Sequence, residues 1–268
     1  MTETKPVQAA SGQLPQAETK EDNSQAIVFD PNARESKPPF HELPIIVFGE
    51  PGMGKTTFLS QCPGTCILFT DAHQQGSLGG RCASKDILSW KAFKQFVSSQ
   101  ESDGYSSFCI DIIDALWSMC QWEVSMERFG TEYPEGSQWG VCNKEFMHYI
   151  KMLNAKAPVR HISHVREKDG FINAGNGIQT KIKVLHPHFS TGQVAKNLAQ
   201  SIYMQGYVSI IDGQHMIDFR HCDYISTKER TNVLKRCKAP LPLEWGVVEN
   251  AYNKMCEHFG YDIVSMRN

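Results

Sequence analysis

The sequence predicts an α/β fold in which a mostly parallel sheet lies between two layers of helices and carries an antiparallel hairpin extension. Three observations support this prediction. In the first half of the chain, short apolar runs of strand type alternate with helical patterns, as in parallel sheets covered on both faces. The first apolar run ends in a glycine-rich turn that leads into a helix. Later, Asp212-Gly213-Gln214 separates two β-type runs, which is a strong hairpin signal.

Apolar runs predict the strands in order. They lie at 44–48, 66–70, 107–111, 158–163, 179–185, 207–211 and 215–219. The run at 158–163 is the weakest of these. The run at 179–185 is the return strand of a flexible hairpin, which Asp169-Gly170 and Gly175-Asn176-Gly177 punctuate.

Capping residues, proline and glycine predict the helices. The helix after the glycine-rich turn is short because Cys62-Pro63-Gly64 ends it. Ser89 is expected to cap a helix over 90–101, and Asp114 is expected to cap one that extends to about 129. The remaining helices are predicted at 139–154, at 192–204 with Ser190 or Thr191 as cap, and at 247–258.

The composition is that of an ordinary globular protein, with 41% apolar and 21% charged residues. Residues 1–40 are polar and are expected to form a disordered tail, 41–246 the folded core, and 247–268 a C-terminal helix packed on it. A net charge of −2 gives no global electrostatic argument for binding nucleic acid or membranes. We find neither a signal peptide nor a run of the ~20 apolar residues that span a membrane, and expect a cytoplasmic protein. Nine cysteines, an odd number, argue against a disulfide framework.

The segment 45–57 contains G-x-x-x-x-G-K-T, the phosphate-binding loop of P-loop NTPases. Its frame glycines allow backbone N–H groups to approach phosphate oxygens, and the helix that follows points its N-terminus at the anion. Lys55 would place its charge on the β- and γ-phosphates, and the Thr56 hydroxyl would bind Mg²⁺. The residues expected to bind nucleotide are Gly49, Glu50, Pro51, Gly52, Met53, Gly54, Lys55, Thr56 and Thr57. The alternative is a glycine-rich turn without a ligand.

Acidic and polar residues at strand ends suggest the rest of a catalytic site. Asp111 closes an apolar strand and suits a Walker B carboxylate, which reaches Mg²⁺ through water; the alternative is a helix cap. Asp71, His73 and Gln74 follow the second strand, where Asp71 or Gln74 could orient the attacking water. They could equally be ordinary loop residues.

Two basic regions could contact phosphates outside this site. The first is the loop 226–238, which could reach a neighbouring subunit's nucleotide or a nucleic-acid backbone; its cations are Lys228, Arg230, Lys235, Arg236 and Lys238. The second is Phe171 with the glycines at 175–177, flanked by Arg166, Lys168, Lys181 and Lys183, an aromatic-plus-basic pattern that suits single-stranded DNA. Either could instead be a solvated surface.

Three stretches resemble a known family. They are the strand end Ile-Asp-Ile-Ile-Asp-Ala-Leu at 110–116, Ile-Ser-His-Val-Arg-Glu-Lys at 162–168, and Arg230 followed by Leu-Pro-Leu-Glu-Trp at 241–245. With the phosphate loop, they resemble the phage-encoded, core-only RecA-like ATPases, often described as AAA-family ATP-binding proteins. In the second stretch, Ser163 and His164 end the fourth predicted strand, where sensor residues often lie near the γ-phosphate, and they match the family's sensor region. The alternative for His164 is a solvated histidine at a strand end.

The resemblance implies a RecA-like ATPase that uses ATP and Mg²⁺, binds single-stranded DNA and promotes annealing in phage recombination. It also implies a homo-oligomer with nucleotide at the subunit interface. Gly49, Gly52, Gly54 and Lys55 to Thr57 match the family's phosphate loop, and Asp111 its Walker B acid. The sequence departs from the family at His73, where a glutamate is usual, so turnover is expected to be slow.

Three other functions fit part of the sequence. The first is a nucleotide-binding interaction module or switch with weak or no hydrolysis, which the missing glutamate favours. The second is a GTPase, but Asn143-Lys144-Glu145-Phe146 lacks the aspartate of a guanine-binding loop. The third is a P-loop small-molecule kinase, in which Arg166 and Lys168 would belong to a lid.

Overall fold

The structure is a computed structural model that describes residues 40–71, 82–173, 179–188, 192–220, 222–230, 240–243 and 251–259. These residues all belong to the unit Lys37–Asn268. The predicted tail up to residue 39 lies outside the described residues. So do the possible helix caps Ser190 and Thr191.

The described residues contain eleven strands. They are β1 (Ile45–Phe48), β2 (Thr65–Phe69), β3 (Ala83–Asp86), β4 (Ser107–Asp111), β5 (Val159–Ser163), β6 (Val165–Asn173), β7 (Gln179–Pro187), β8 (Met204–Ile211), β9 (Gln214–Asp218), β10 (Lys228–Glu229) and β11 (Leu241–Pro242). The helices are α1 (Lys55–Ser60), α2 (Trp90–Ser98), α3 (Ile113–Phe129), α4 (Gln138–Lys156), α5 (Gly192–Ser201) and α6 (Ala251–His258). Among the described helices, none is long and apolar enough to cross a membrane.

Nine of these strands form one sheet, in the order β11-β9-β8-β1-β5-β4-β2-β3, with β10 also paired to β8. The strands from β8 to β3 run parallel to one another. The strands β9, β10 and β11 join antiparallel at the β8 side. The predicted class is thereby confirmed: an α/β fold with a mostly parallel sheet and an antiparallel extension.

Helices cover both faces of the sheet, because the central strands are apolar on both sides. In β2, Cys66 and Leu68 pack into a core cluster with residues of α2 to α5, whereas Ile67 and Phe69 pack into a second cluster with α1 and α6. The strand β4 divides its side chains in the same way. The three predicted layers are therefore present.

The strand β5, the weakest prediction, is central: it lies between β1 and β4. Its residue Arg160 is fully buried, donates to the His41 carbonyl at 2.6 Å, and lies 5.9 Å from the ring centroids of both Phe40 and Tyr252. Phe40, the last residue assigned to the expected tail, is likewise fully buried. A polar residue inside this strand is thus enclosed by aromatic rings.

Three elements differ from the prediction. The hairpin β6–β7 forms a two-stranded sheet of its own, paired over nine residues on each side, and does not extend the main sheet. The parallel edge strand β3 was not predicted, because its sequence, Ala-Ser-Lys-Asp, lacks an apolar pattern. Asp114 does not cap α3: the N-cap is Ile112, in extended conformation without a side-chain bond, and Asp114 lies in the first turn. Ser89 does cap α2, accepting from the Ala92 N–H at 3.1 Å.

Candidate functional site

The loop between β1 and α1 takes its shape from two left-handed glycines and from the neighbouring strand. Gly52 and Gly54 have φ of +78° and +89°, a region that favours glycine. At Gly49, a Cβ atom would lie 2.4 Å from the carbonyl oxygen of Val208 on β8. This close approach excludes any side chain. The result is a loop at the carboxyl end of β1 whose backbone shape depends on these glycines.

Lys55 points back into this loop. The residue is 6% exposed, and Nζ donates to the carbonyl oxygens of Gly49 at 3.0 Å and Glu50 at 2.7 Å. Burial lowers the pKa of Lys55, and the nearby Asp111 carboxylate opposes that shift. The ammonium group is therefore held inside the loop where a phosphate would bind.

Thr56 and Asp111 meet beside the loop. The Thr56 hydroxyl donates to Asp111 Oδ2 at 2.6 Å. Asp111 is the last residue of β4 and is 2% exposed. Burial raises the pKa of its carboxyl group, while the hydrogen bond from Thr56 and the charge of Lys55 lower it. The alternative interpretation of Asp111 as a helix cap is excluded, since Ile112 is the cap. The structure thus brings together Lys55, Thr56 and Asp111.

Two residues that the sequence analysis did not single out support this site. The Thr70 hydroxyl accepts from the Ile112 N–H at 2.8 Å and donates to the Ile112 carbonyl at 3.2 Å, which fixes the backbone directly after Asp111. His215 Nδ1 donates to the Met53 carbonyl at 3.0 Å, so β9 holds the tip of the phosphate loop. Sequence patterns gave no signal for either contact, because both join residues far apart in the chain.

His164, predicted as a sensor residue, is bound to Asp114. Its Nδ1 lies 2.8 Å from Asp114 Oδ2, and its backbone N–H donates to Oδ1 at 3.3 Å. The same Oδ2 lies 3.3 Å from His188 Nδ1, and the His188 N–H donates to the His164 carbonyl at 2.7 Å. Ser163 is buried and donates to that same carbonyl. Both ends of the β6–β7 hairpin are therefore anchored to the first turn of α3.

The residues expected to orient a water are not part of this network. Asp71 follows the end of β2, is exposed, and forms no hydrogen bond within the described part of the chain. His73 and Gln74 lie outside the described residues. Of the two predicted water-orienting residues, only Asp71 is described, and it is not hydrogen-bonded to Lys55, Thr56 or Asp111.

Two basic residues of the loop 226–238 bind backbone carbonyls of α5. Lys228 Nζ donates to the Ala199 carbonyl, and Arg230 Nη1 donates to the Gln200 carbonyl at 2.8 Å. Both carbonyls lie in the last turn of α5, where cations are favourable. The other cations of this loop, Lys235, Arg236 and Lys238, lie outside the described residues.

On the hairpin, Phe171 is 65% exposed and lies directly opposite Lys181. Asp169 binds Lys181 at 2.8 Å and Lys183 at 2.9 Å, so it neutralises part of the positive charge. The glycines at 175–177 lie outside the described residues. An aromatic ring and a cation thus share one exposed face.

The donors at the loop fit a nucleotide with Mg²⁺. A Cβ at Gly49 would meet the Val208 carbonyl and displace the loop, and Lys55 is already positioned for an anion. Among the described residues, no group of three or more His, Cys, Asp or Glu side chains could hold a metal by itself. Mg²⁺ usually takes one or two protein oxygens, with phosphates and waters as its other ligands. Thr56 and Asp111 would supply these oxygens.

Comparisons with known proteins show a family for most of the chain. A family model described as "AAA domain" matches residues 41–231. The crystal structure of the RadB recombinase matches with a TM-score of 0.37 and 12% identity, covering 69% of this chain and 83% of that one. A search of curated proteins gives no significant match.

Proposed function

The chain belongs to the AAA domain family, and we propose that it is an ATPase that binds ATP with Mg²⁺ and acts on single-stranded DNA in recombination. The observation that carries the nucleotide part is the meeting of Lys55, Thr56 and Asp111. A buried cation within the loop and two oxygens 2.6 Å apart beside it are the groups that phosphate and Mg²⁺ require.

In this proposal each residue has a defined task. Lys55 exchanges its bonds to the loop carbonyls for bonds to phosphate oxygens, and the backbone N–H groups of the loop bind the same anion. Thr56 and Asp111 hold Mg²⁺, which neutralises charge on the phosphates when bound. Since β5 lies between β1 and β4, His164 at its carboxyl end is suited to face the terminal phosphate.

Nucleotide binding is tested with Lys55→Ala, which should abolish binding of a fluorescent ATP analogue. Lys91→Ala, an exposed lysine on α2, is the control and should bind as the unmodified protein does. Unchanged affinity in the Lys55 variant would refute the proposed site. Competition of GTP with ATP in the same assay separates an ATPase from a GTPase.

A switch with weak hydrolysis is the second candidate function. Asp114 is hydrogen-bonded to two histidines, and Asp71 is not hydrogen-bonded to Lys55, Thr56 or Asp111, so neither of these two described carboxylates is held as a base beside Lys55. The measured turnover, with and without single-stranded DNA, separates the two functions. We expect slow hydrolysis that DNA stimulates; no turnover under either condition would favour the switch.

For single-stranded DNA, the supporting observation is the exposed face of the β6–β7 hairpin. Phe171 offers a ring on which a base can stack, and Lys181 opposite it offers a cation for the phosphate. The hairpin is anchored to α3 next to Asp111, so DNA on the hairpin and nucleotide in the loop would act on one connected element.

The test is fluorescence anisotropy with a labelled single-stranded oligonucleotide, in the presence of ATP and Mg²⁺. We expect binding that weakens steeply with salt. Phe171→Ala should weaken it about tenfold, because stacking of one base contributes ~1–3 kcal/mol. Tyr133→Ala removes an equally exposed ring between α3 and α4 and is the matched control. No binding at low salt would refute this part.

We further propose that the protein forms a homo-oligomer with nucleotide at the subunit interface. In this proposal the oligomer promotes strand annealing in phage DNA metabolism, as the sequence resemblance implies. The native mass should rise when ATP and DNA are added, and complementary oligonucleotides should anneal faster. A monomer under all conditions would contradict the oligomer. Phosphoryl transfer to an added nucleoside would instead indicate a small-molecule kinase.

A further inference from the structure

A cavity of about 430 Å³ lies at the amino ends of the central strands, whereas the nucleotide site lies at their carboxyl ends. It is formed between α4, α5 and the start of the central strands, where Pro44 directly precedes β1. The phosphate loop follows the other end of β1. The cavity is therefore separate from the site described above, and its volume lies within the ~300–1,000 Å³ of small-molecule sites.

His161 of β5 lines this cavity and is 2% exposed. Its Nδ1 has no hydrogen-bond partner within the described part of the chain. Burial lowers the pKa of His161 to about 3, so the ring is neutral at pH 7. An unpaired buried polar group is unfavourable, and a bound molecule with a suitable group would pair with it.

The mouth of the cavity is rich in hydrogen-bond donors. Asn154 Oδ1 accepts from the Val159 N–H at 3.2 Å, which leaves the Asn154 amide NH₂ group as a donor. Asn197 Oδ1 accepts from Gln193 at 2.9 Å, which leaves the same group on Asn197. Lys151 adds an ammonium group, and no acidic residue is found among the described residues that line the cavity.

The rest of the wall is apolar. Met147 and Ile150 of α4 and Val159 of β5 contribute it. We propose that this cavity binds a small organic anion, whose carboxylate or phosphate meets the donors at the mouth and whose flat or aliphatic body lies against the apolar wall and His161. A nucleoside monophosphate and an aromatic carboxylate share this chemistry.

The test uses the full chain with ¹³C-labelled histidine, and with ADP and Mg²⁺ in excess to fill the phosphate loop. Two probes, dTMP and indole-3-propionate, are titrated separately to millimolar concentration while the imidazole signals of His161 are followed by NMR. We expect saturable shifts of these signals with at least one probe, and the responding probe identifies the source of the anion. The readout is local to His161, so it does not depend on whether the protein hydrolyses ATP.

Variants separate anion recognition from other causes of a shift. Lys151→Met should weaken binding about tenfold or more, because a hydrogen bond to a charged group contributes ~1.5–3 kcal/mol. Lys144→Met, at an exposed position on the same helix, should have no effect. Asn197→Trp fills the mouth from the surface of α5 and should abolish the shift.

Three results would overturn the proposal. They are the absence of a shift with both probes, equal affinity in the Lys151 variant, and equally tight binding of the uncharged analogues thymidine and indole-3-propanamide.

Discussion

The Thr56 hydroxyl donates a hydrogen bond of 2.6 Å to Asp111 Oδ2, so the end of the phosphate loop is joined directly to the end of β4. The two oxygens that would bind Mg²⁺ are therefore already adjacent. This contact explains how a buried carboxylate is tolerated, because the hydrogen bond from Thr56 and the charge of Lys55 offset part of the cost of burial.

Asp111→Asn separates the charge of this residue from its shape. The amide still accepts from Thr56 but offers Mg²⁺ no negative charge, so we expect ATP turnover to fall by about 10²-fold. The free energy of unfolding should be unchanged or slightly higher, because a buried charge is removed. Turnover at several Mg²⁺ concentrations and urea unfolding measure the two effects. Asp103→Asn, which alters a surface ion pair with Lys156, should leave turnover normal.

Gly49→Ala tests whether β8 shapes the phosphate loop. The new Cβ would lie 2.4 Å from the Val208 carbonyl, so the loop must move and nucleotide binding should be lost. Gly140→Ala is the matched control, because this glycine lies in α4 with no atom within 4 Å of the added Cβ. It should stabilise the protein by about 0.5–1 kcal/mol. Isothermal titration with ATP and thermal unfolding give both answers, and a Gly49 variant with unchanged ATP affinity would contradict the prediction.

His161 should make the fold sensitive to acid. Burial lowers its pKa to about 3, whereas an unfolded histidine titrates near ~6.5. Between these values only the unfolded chain binds the proton, so this residue lowers the free energy of unfolding by about 1.4 kcal/mol per pH unit as the pH falls below ~6.5. We expect the free energy of unfolding, measured with urea at pH 7, 6 and 5, to fall less steeply with decreasing pH in His161→Gln. His148→Gln, at an exposed position of α4, should keep the original slope.

Arg230→Ala tests the structural role of the basic loop. Its guanidinium binds the Gln200 carbonyl at the end of α5, so its loss should cost about 0.5 kcal/mol of stability. ATP turnover per folded molecule should not change. Lys196→Ala, on an exposed position of α5, is the control for stability. A large loss of turnover with normal stability would show that Arg230 acts on a neighbouring subunit instead.

The sequence predicted those parts of the fold that depend on local patterns. The strand 107–111 and the Ser89 cap agree with the structure because an apolar run and a capping serine act over a few residues. Lys55 and Thr56 follow from one continuous motif, and Asp111 from the end of a strand. These are local signals whose meaning depends little on the rest of the chain.

Contacts between distant segments were not predictable in this way. The polar strand β3 pairs only because β2 offers an edge, and β5 is central although it contains Arg160 and His161. Asp114 is predicted from its position to cap a helix, yet its carboxylate binds His164 and His188, which lie far along the chain. Such pairings are set by how the sheet brings strand ends together, which no short window of sequence records.

The buried guanidinium of Arg160 limits how many residues can be deleted from the N-terminus. It donates to the His41 carbonyl and is flanked by the rings of Phe40 and Tyr252, which come from the two ends of the described chain. A truncated chain that begins after His41 would keep the whole nucleotide site but leave this charge without its carbonyl and one of its rings. Deletions from the N-terminus should therefore stop before Phe40.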